Sequence, residues 1–413
     1  MAWDYWTGPA GTALGPATLR PPMNATNIAG AVPPRAIIAI PAHDEADWLP
    51  ACLAALAAQR PGRGAAFDPA DLLVLVLANN CTDATAQRAR AMAPDLPFSL
   101  LVKECRLRPA QANAGGARRA AMEAAAALAA PATILLSTDA DARPQPGWLA
   151  ANLRAIAAGA DAVAGAIALD PAEAALLPAG LRRRERLEAR YAARLDALAG
   201  RLDPVPHDPW PSHGTHSGAS IGLRLAAYRA IGGMPAVPFG EDRALFAALA
   251  RHDARIRHSS AARVIVSCRL EGRASGGMAE TMRRRLADPA DPLDARLEAT
   301  IPALIRLRCR RALRRLWNSM LRPGEVRRLA LAIGLAPGTL REIATAPSFG
   351  LAWEVLQAAS PMLRRRPMTP ASLPGEITRI EALLRMFSPP PVSPPPAAAA
   401  AGPADIALLA AGA

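Results

Sequence analysis

The residues best suited to chemistry are two aspartates, Asp139 and Asp141, which follow a short apolar run. That run, Thr133 to Thr138, is too short for a helix, and its β-branched and apolar residues predict a buried strand. In an extended segment residues i and i+2 project to one side, so the two carboxylates face the same way. Two hard oxygen ligands at the carboxyl end of a strand suit Mg2+ or Mn2+ on a diphosphate. A solvated turn is the alternative interpretation.

Strands that alternate with helices must position this pair. Apolar runs at Arg35 to Ile40, Leu72 to Ala78 and Phe98 to Lys103 predict strands, with helical patterns between them. The second run is continuously apolar, which is typical of a strand buried on both faces of a parallel sheet. The alternation predicts an α/β fold with a doubly wound, mostly parallel sheet flanked by helices. Further strands are predicted at Asp161 to Ala168, Ser217 to Leu223 and Arg263 to Ser267.

The 413 residues allow one large domain with appendages, or two domains. Residues 1–34 are rich in Gly, Pro, Ala and Thr and predict a flexible lead-in. Residues 35–278 carry the α/β pattern, and residues 279–387 predict a helical C-terminal extension with Pro breaks. Residues 388–413 form a Pro- and Ala-rich tail that we expect to be disordered.

The net charge of +13 comes almost wholly from arginine. A basic surface suits nucleic acid, anionic lipid or phosphorylated substrates, but a compositional habit of the genome explains it equally. Nucleic acid is not an expected partner, because the sequence has no helix-turn-helix signal, zinc-finger spacing or RNP-like motif. Arg306 to Arg315 and Arg364 to Arg366 predict either solvated helix faces or a peripheral contact with anionic headgroups.

The cysteines are an odd set without C-x-x-C spacing, which predicts neither a disulfide framework nor a zinc site and fits a reducing cytosol. No apolar stretch reaches the roughly 18 to 20 residues of a membrane span. The N-terminus lacks the charged and apolar regions of a signal peptide. We therefore expect a cytoplasmic protein, with the inner membrane surface as the alternative.

Four motifs, in order, resemble the family 2 glycosyltransferases of the GT-A fold over about Arg35 to Gly277. They are Ile-Pro-Ala-His-Asp-Glu, Ala-Asn-Asn-Cys-Thr-Asp-Ala-Thr, Thr-Asp-Ala-Asp, and Gly-Ala-Ser with Tyr-Arg-Ala-Ile-Gly-Gly leading to Gly-Glu-Asp. The resemblance implies a GT-A domain at 35–278. It also implies transfer of a sugar from a nucleotide-sugar donor to an acceptor hydroxyl on a glycan, lipid or small molecule, with Mg2+ or Mn2+.

The resemblance gives nucleoside-binding roles to residues after the first two strands. Pro41, His43 and Glu45 would line the first strand mouth, although Glu45 also suits the first turn of a helix, where the dipole favours it. Asn79 and Asp83 would lie at the next mouth. A helix cap is an equal alternative for Asp83.

The resemblance also assigns the diphosphate side. Arg118 would fork onto phosphate, and Asp139 and Asp141 would hold the metal. Arg273, in a Gly-rich loop, would close over the diphosphate. Three histidines are spare candidates for a third metal ligand, with structural roles as the alternative: His213, His216 and His258.

Asp242, or less favourably Glu241, is the general base that the resemblance implies. Attack opposite the leaving group would invert the anomeric centre. Alternatively, both acids only decorate a helix N-terminus. A non-catalytic nucleotide- or glycan-binding protein on a degenerate GT-A fold is the second function. A nucleotidyltransferase is disfavoured, because its Gly-rich basic loop is replaced by Pro-Ala-His-Asp-Glu.

Overall fold

A computed structural model of the protein describes residues 33–62, 67–270, 272 and 277–387. The predicted lead-in up to residue 32, the tail from residue 388 and Arg273 lie outside the described residues.

A single eight-stranded sheet forms the centre of the described chain. Its strands are β1 Ala36–Ala42, β2 Leu72–Asn79, β3 Ser99–Cys105, β4 Ile134–Ser137, β5 Arg143–Pro144, β6 Ala162–Leu169, β7 Ile221–Arg224 and β8 Ile256–Val266. Their order across the sheet is β3-β2-β1-β4-β7-β6-β8-β5. Strand β7 pairs antiparallel with both β4 and β6, and β5 pairs antiparallel with β8, whereas the other pairings are parallel. The predicted mostly parallel α/β sheet is thereby confirmed, with one antiparallel strand inside it.

Helices cover both faces of the sheet and continue beyond it. They are α1 Leu49–Ala57, α2 Thr85–Met92, α3 Ala114–Leu128, α4 Trp148–Ala157, α5 Pro171–Leu176, α6 Ala179–Leu202, α7 Leu225–Ala230, α8 Glu241–Arg251, α9 Met278–Ala287, α10 Thr300–Trp317, α11 Pro323–Ala332, α12 Pro337–Ile343, α13 Phe349–Ala359 and α14 Leu373–Arg385. None of the described helices is both long enough and apolar enough to cross a membrane.

The continuous apolar runs are explained by two separate cores. In β1, Ile38 and Ile40 point into a cluster that contains Leu49 and Leu53 of α1. The alternate residue Ile37 points into a second cluster, with side chains of α3. Successive side chains of a strand point to opposite faces, so a strand between two helical layers is apolar at every position.

Strand β8 is longer than the predicted Arg263 to Ser267, because polar residues in its first half hide the apolar pattern. Helix α1 begins after Trp48, without a side-chain cap. Asp47, one residue before Trp48, pairs with Arg88 through a 2.8 Å contact.

The charged residues of α6 bind the C-terminal helices. Arg190 and Arg194 both contact Glu381 of α14, at 2.9 and 3.1 Å. Tyr191 of α6 is fully buried in an apolar cluster with Leu373 and other residues of α14. The alternating charges of α6 therefore connect two parts of the chain, and they do not form a simple solvated face.

Two arginines of the Arg306 to Arg315 stretch are likewise paired within the protein. Arg306 is buried, and its Nε donates to Glu298 at 2.8 Å. Arg314 donates to Asp203 at 3.2 Å. Arg308, Arg311 and Arg315 are exposed, so the contact with anionic headgroups stays a prediction.

Helix α13 is attached to the C-terminal end of α8. The Asp253 carboxylate accepts the backbone N–H groups of Phe349 and Gly350, at 2.8 and 2.7 Å. A Cβ atom at Gly350 would lie 1.7 Å from the Ala250 carbonyl oxygen, so only glycine permits this approach. Arg251 adds a two-point ion pair with Glu354, with both contacts at 2.8 Å.

Candidate active site

Asp139 and Asp141 lie just beyond the end of β4, at the edge of the sheet where the sequence predicted them. Asp139 accepts a hydrogen bond from Arg118. Asp141 accepts one from Nη2 of Arg269 at 2.9 Å. Each aspartate is therefore held by a different arginine.

Arg118 is the centre of a buried hydrogen-bond network. Only 6% of it is exposed. Its Nε donates to Glu241 at 2.8 Å, and its Nη1 donates to the Ser137 hydroxyl and the Gly218 carbonyl, both at 2.9 Å. With Nη2 on Asp139, every nitrogen of the guanidinium is engaged by protein oxygens. In this structure Arg118 therefore positions acidic groups, and its phosphate contact stays a prediction.

Gly218, from the Gly-Ala-Ser motif, makes this network sterically feasible. A Cβ atom there would lie 2.5 Å from Nη2 of Arg118. The backbone N–H of Gly218 donates to Oδ2 of Asp242 at 2.9 Å. The carbonyl of Gly218 thus accepts a hydrogen bond from Arg118, and its amide donates one to Asp242.

The two acids at the start of α8 differ in environment. Glu241 is 6% exposed and its carboxylate is committed to Arg118. Asp242 accepts the N–H of Arg243 at 2.7 Å in addition to that of Gly218. Burial raises the pKa of Asp242, and the charge of Glu241 raises it further. Asp242 is therefore better suited than Glu241 to accept a proton.

Arg269 is a site residue that the sequence reasoning missed. It follows β8, and its Nη2 contacts Glu45 at 3.1 Å as well as Asp141. Its guanidinium lies over the Trp48 ring, 4.9 Å from the centroid. No sequence motif indicated a role for Arg269, because its partners come from two loops that are distant in the sequence.

The acidic groups fit a divalent ion. Burial raises the pKa of Asp141 to about 6, and the neighbouring Asp139 contributes, whereas Arg269 opposes the rise. A cation would relieve this concentration of carboxylate charge. Carboxylate oxygens are also the ligands that Mg2+ and Mn2+ prefer. Asp139 and Asp141, with Glu45 beside them, therefore suit the predicted ion.

The loop that follows β1 is held by contacts to backbone carbonyls. His43 donates from Nδ1 to the Asn79 carbonyl at 2.9 Å. The Asn79 side chain, 4% exposed, donates to the Ala42 carbonyl at 2.9 Å. Pro41 is half-buried within β1. Asn79 therefore joins β1 to β2 through its side chain, and its predicted base contact stays a prediction.

Asp83 also has a structural task. It accepts the N–H of Thr85, at the start of α2, at 2.9 Å, and the N–H of Ala46 at 3.0 Å. The Thr85 hydroxyl in turn accepts the N–H of Glu45 at 2.8 Å. This is the capping alternative for Asp83, extended to fix the neighbouring loop.

The three candidate histidines gather with one another. Nε2 of His216 lies 3.1 Å from Nε2 of His258, and Nδ1 of His258 lies 2.7 Å from Asp208. The ring of His213 packs edge-on against His258, with centroids 5.6 Å apart. Burial lowers the pKa of His216 to about 3. Their hydrogen bonds serve this cluster, which favours the structural alternative, and a third metal ligand among them stays a prediction.

Among solved structures, similar ones include the mannosyltransferase PcManGT from Pyrobaculum calidifontis in complex with GDP-Man and Mn2+. It is 18% identical, with 80% of this chain and 88% of that chain covered and a TM-score of 0.41. TarS 1-349 from S. aureus, in complex with UDP, is 14% identical, with 85% and 90% covered and a TM-score of 0.42. Comparison with curated protein sequences finds no match.

A family model gives the assignment. Residues 37–202 match the model described as Glycosyl transferase family 2. The matched segment runs from β1 to the end of α6 and includes Asp139 and Asp141, whereas Glu241 and Asp242 lie beyond it. Over residues 37–202 the chain is therefore similar to a glycosyl transferase family 2 domain, and this match supports a glycosyltransferase.

Proposed function

We propose that the protein transfers a sugar from a nucleotide-sugar donor to an acceptor hydroxyl, with Mg2+ or Mn2+ and with inversion of the anomeric centre. One observation carries the proposal: the buried Arg118 binds Asp139 on one side and Glu241, the neighbour of Asp242, on the other. A single side chain therefore connects the acid proposed to hold the metal to the helix that carries the proposed base.

On the donor side, Asp139 and Asp141 would hold the ion. A divalent ion there neutralises charge on the departing nucleoside diphosphate. Arg269, now paired with Asp141 and Glu45, supplies a planar fork of N–H donors suited to phosphate oxygens. Arg273, outside the described residues, remains a second proposed cation for the diphosphate.

On the acceptor side, Asp242 would take the proton of the acceptor hydroxyl. As the proton leaves, the hydroxyl oxygen attacks the anomeric carbon, and the bond to the diphosphate breaks on the opposite face. The raised pKa of Asp242 increases its basicity in the reaction. Because the carboxylate of Glu241 is paired with Arg118, Asp242 is the stronger proposal for this role.

We propose that residues 35–278 form the catalytic domain and that residues 279–387 support its acceptor side. The docking of α13 onto the end of α8 supports this division of labour, since α8 begins with the proposed base.

The test is a donor screen. The protein is incubated with a panel of nucleotide sugars and Mn2+, and release of free nucleoside diphosphate is followed by chromatography. We expect slow hydrolysis of one donor, which is lost in Asp141→Ala and preserved in Asp95→Ala, an exposed aspartate away from the site. Circular dichroism checks that both variants remain folded.

Metal-dependent turnover that persists in Asp141→Ala would contradict the metal assignment. Nucleotide-dependent thermal stabilisation without turnover of any donor would support the non-catalytic alternative.

A further inference from the structure

The loops after β1 and β2 bring together a histidine, an aspartate and a cysteine. One ligand atom of each, from His43, Asp44 and Cys81, lies within 4.8 Å of the others. We propose that these three residues form a binding site for Zn2+ or a similar soft divalent cation, separate from the site of Asp139 and Asp141.

The histidine is oriented for this role by a backbone carbonyl. Because a carbonyl oxygen only accepts, the 2.9 Å contact with Asn79 requires that Nδ1 of His43 carries the proton. In the neutral ring, Nε2 then presents its lone pair, on the side where Oδ2 of Asp44 lies 4.0 Å away. A carbonyl that fixes the tautomer in this way is a recurring second partner of metal-binding histidines.

The aspartate is fixed just as firmly. Asp44 has a φ of 54°, a left-handed conformation that few non-glycine residues adopt. Its Oδ1 accepts the N–H groups of Thr82 and Asp83, at 2.6 and 3.1 Å. These bonds hold the carboxylate with Oδ2 toward the histidine, so the site needs little rearrangement.

The sulfur completes the donor set. Sγ of Cys81 accepts the backbone N–H of Asp44 at 3.4 Å, which draws the sulfur toward the other two ligands. A nitrogen, an oxygen and a sulfur together suit Zn2+ far better than Mg2+ or Mn2+. Three protein ligands leave a fourth position open to water or to a ligand.

Binding would replace the S–H bond of Cys81 with a bond from sulfur to the metal, and the proton would pass to the solvent. The affinity for Zn2+ is therefore expected to rise with pH. The same strand mouths are the proposed position of the nucleoside. If the proposed function holds, Zn2+ bound here excludes the nucleotide and inhibits the enzyme.

Co2+ is the direct probe, because a cysteine ligand gives it a thiolate-to-metal charge-transfer band. The full-length protein is titrated with Co2+ and then with Zn2+ as competitor. We expect a band that saturates at one equivalent, is displaced by Zn2+, and survives in Asp141→Asn and in Cys105→Ser. Cys105, a neighbouring half-buried thiol, is the matched control.

In Cys81→Ser the band should vanish, and Zn2+ affinity should fall at least about tenfold, because the loss of a residue that merely supports a metal ligand already costs about 10- to 100-fold. His43→Gln should weaken binding while the thiol remains, which separates the site from loss of folding. Absence of the band in the parent protein, or its persistence in Cys81→Ser, would overturn the proposal.

A second experiment measures the affinity of the protein for a panel of nucleoside diphosphates at saturating Mg2+, with and without Zn2+. Zn2+ at ten times its parent Kd should lower the apparent nucleotide affinity about tenfold in the parent, as a competing ligand does, but by no more than about twofold in Cys81→Ser, because that variant binds Zn2+ at least about tenfold more weakly. If a nucleotide binds and Zn2+ does not compete, the inhibitory role is wrong. If no nucleotide binds the parent, the proposed function fails, whereas the cobalt result still supports the metal site.

Discussion

Replacing Arg118 with methionine should destabilise the protein more than any exposed arginine could. The side chains of Arg118 and Glu241 are only 7% and 8% exposed. Removing one member of such a buried pair leaves the other charge uncompensated, at a cost of about 3–5 kcal/mol. Asp139, which is 34% exposed, can recover hydration, so Glu241 accounts for most of the loss.

Urea unfolding measures this cost. With a slope of about 3 kcal/mol per molar, the midpoint of Arg118→Met should fall by roughly 1 to 2 M. Arg119→Met is the matched control on the same helix. Its partner Glu123 and Arg119 itself are about 30% exposed, and such helical pairs contribute only about 0.3–0.5 kcal/mol.

The double variant Arg118→Met/Glu241→Gln distinguishes a stranded charge from lost packing. If the uncompensated Glu241 carboxylate is the cause, the double variant should be more stable than Arg118→Met alone. Equal losses in Arg118→Met and Arg119→Met, or no recovery in the double variant, would refute the reasoning.

Three further outcomes are expected at the proposed site. Asp242→Asn should lower sugar transfer by about 100-fold or more, with nucleotide affinity nearly unchanged, because it removes only the proton acceptor; transfer at the parent rate would exclude Asp242 as the base. Arg269→Gln should bind Mn2+ alone more tightly, since it removes the cation paired with Asp141, and should bind nucleoside diphosphate more weakly. Calorimetry measures both affinities, with the exposed Arg263→Gln as control. If the variant bound both Mn2+ and nucleoside diphosphate more weakly, this reasoning would be wrong. The pKa of about 6 at Asp141 predicts that protons compete with the metal below that pH. Mn2+ affinity should therefore fall about tenfold per pH unit under pH 6 and level off above it, and a flat profile from pH 5 to 7 would argue against Asp141 as a ligand.

Much of the fold could be predicted, because a strand that is buried on both faces of the sheet has a continuous run of apolar residues. The apolar runs of β1 and β2 and the aspartates after β4 all lie where the sequence indicated. Strand β8 was predicted only in part, since exposed polar positions interrupt its apolar pattern. The pattern of apolar and polar residues along the chain indicates which side of a strand is buried, and it does so best for fully buried strands.

The roles of individual side chains were harder to predict. Arg118 has the residue type expected of a phosphate ligand, but its surroundings commit it to Asp139 and Glu241. Arg269 had no motif, because its partners Glu45 and Asp141 meet it only in three dimensions. Sequence spacing reveals pairs on one strand or helix, whereas these contacts depend on how separate loops converge.

Helix α8 can act as a lever between two distant regions. Its eleven residues span about 16 Å, with Asp242 at one end and the contacts to α13 at the other. A tilt of only 5° about the α13 end would displace Asp242 by roughly 1.4 Å, and a misplacement of about 1 Å can cost 100-fold in rate. A ligand, truncation or partner that shifts α13 would therefore change the reaction rate without contacting any substrate. Removing the C-terminal helices to obtain a minimal enzyme would leave the proposed base less firmly positioned.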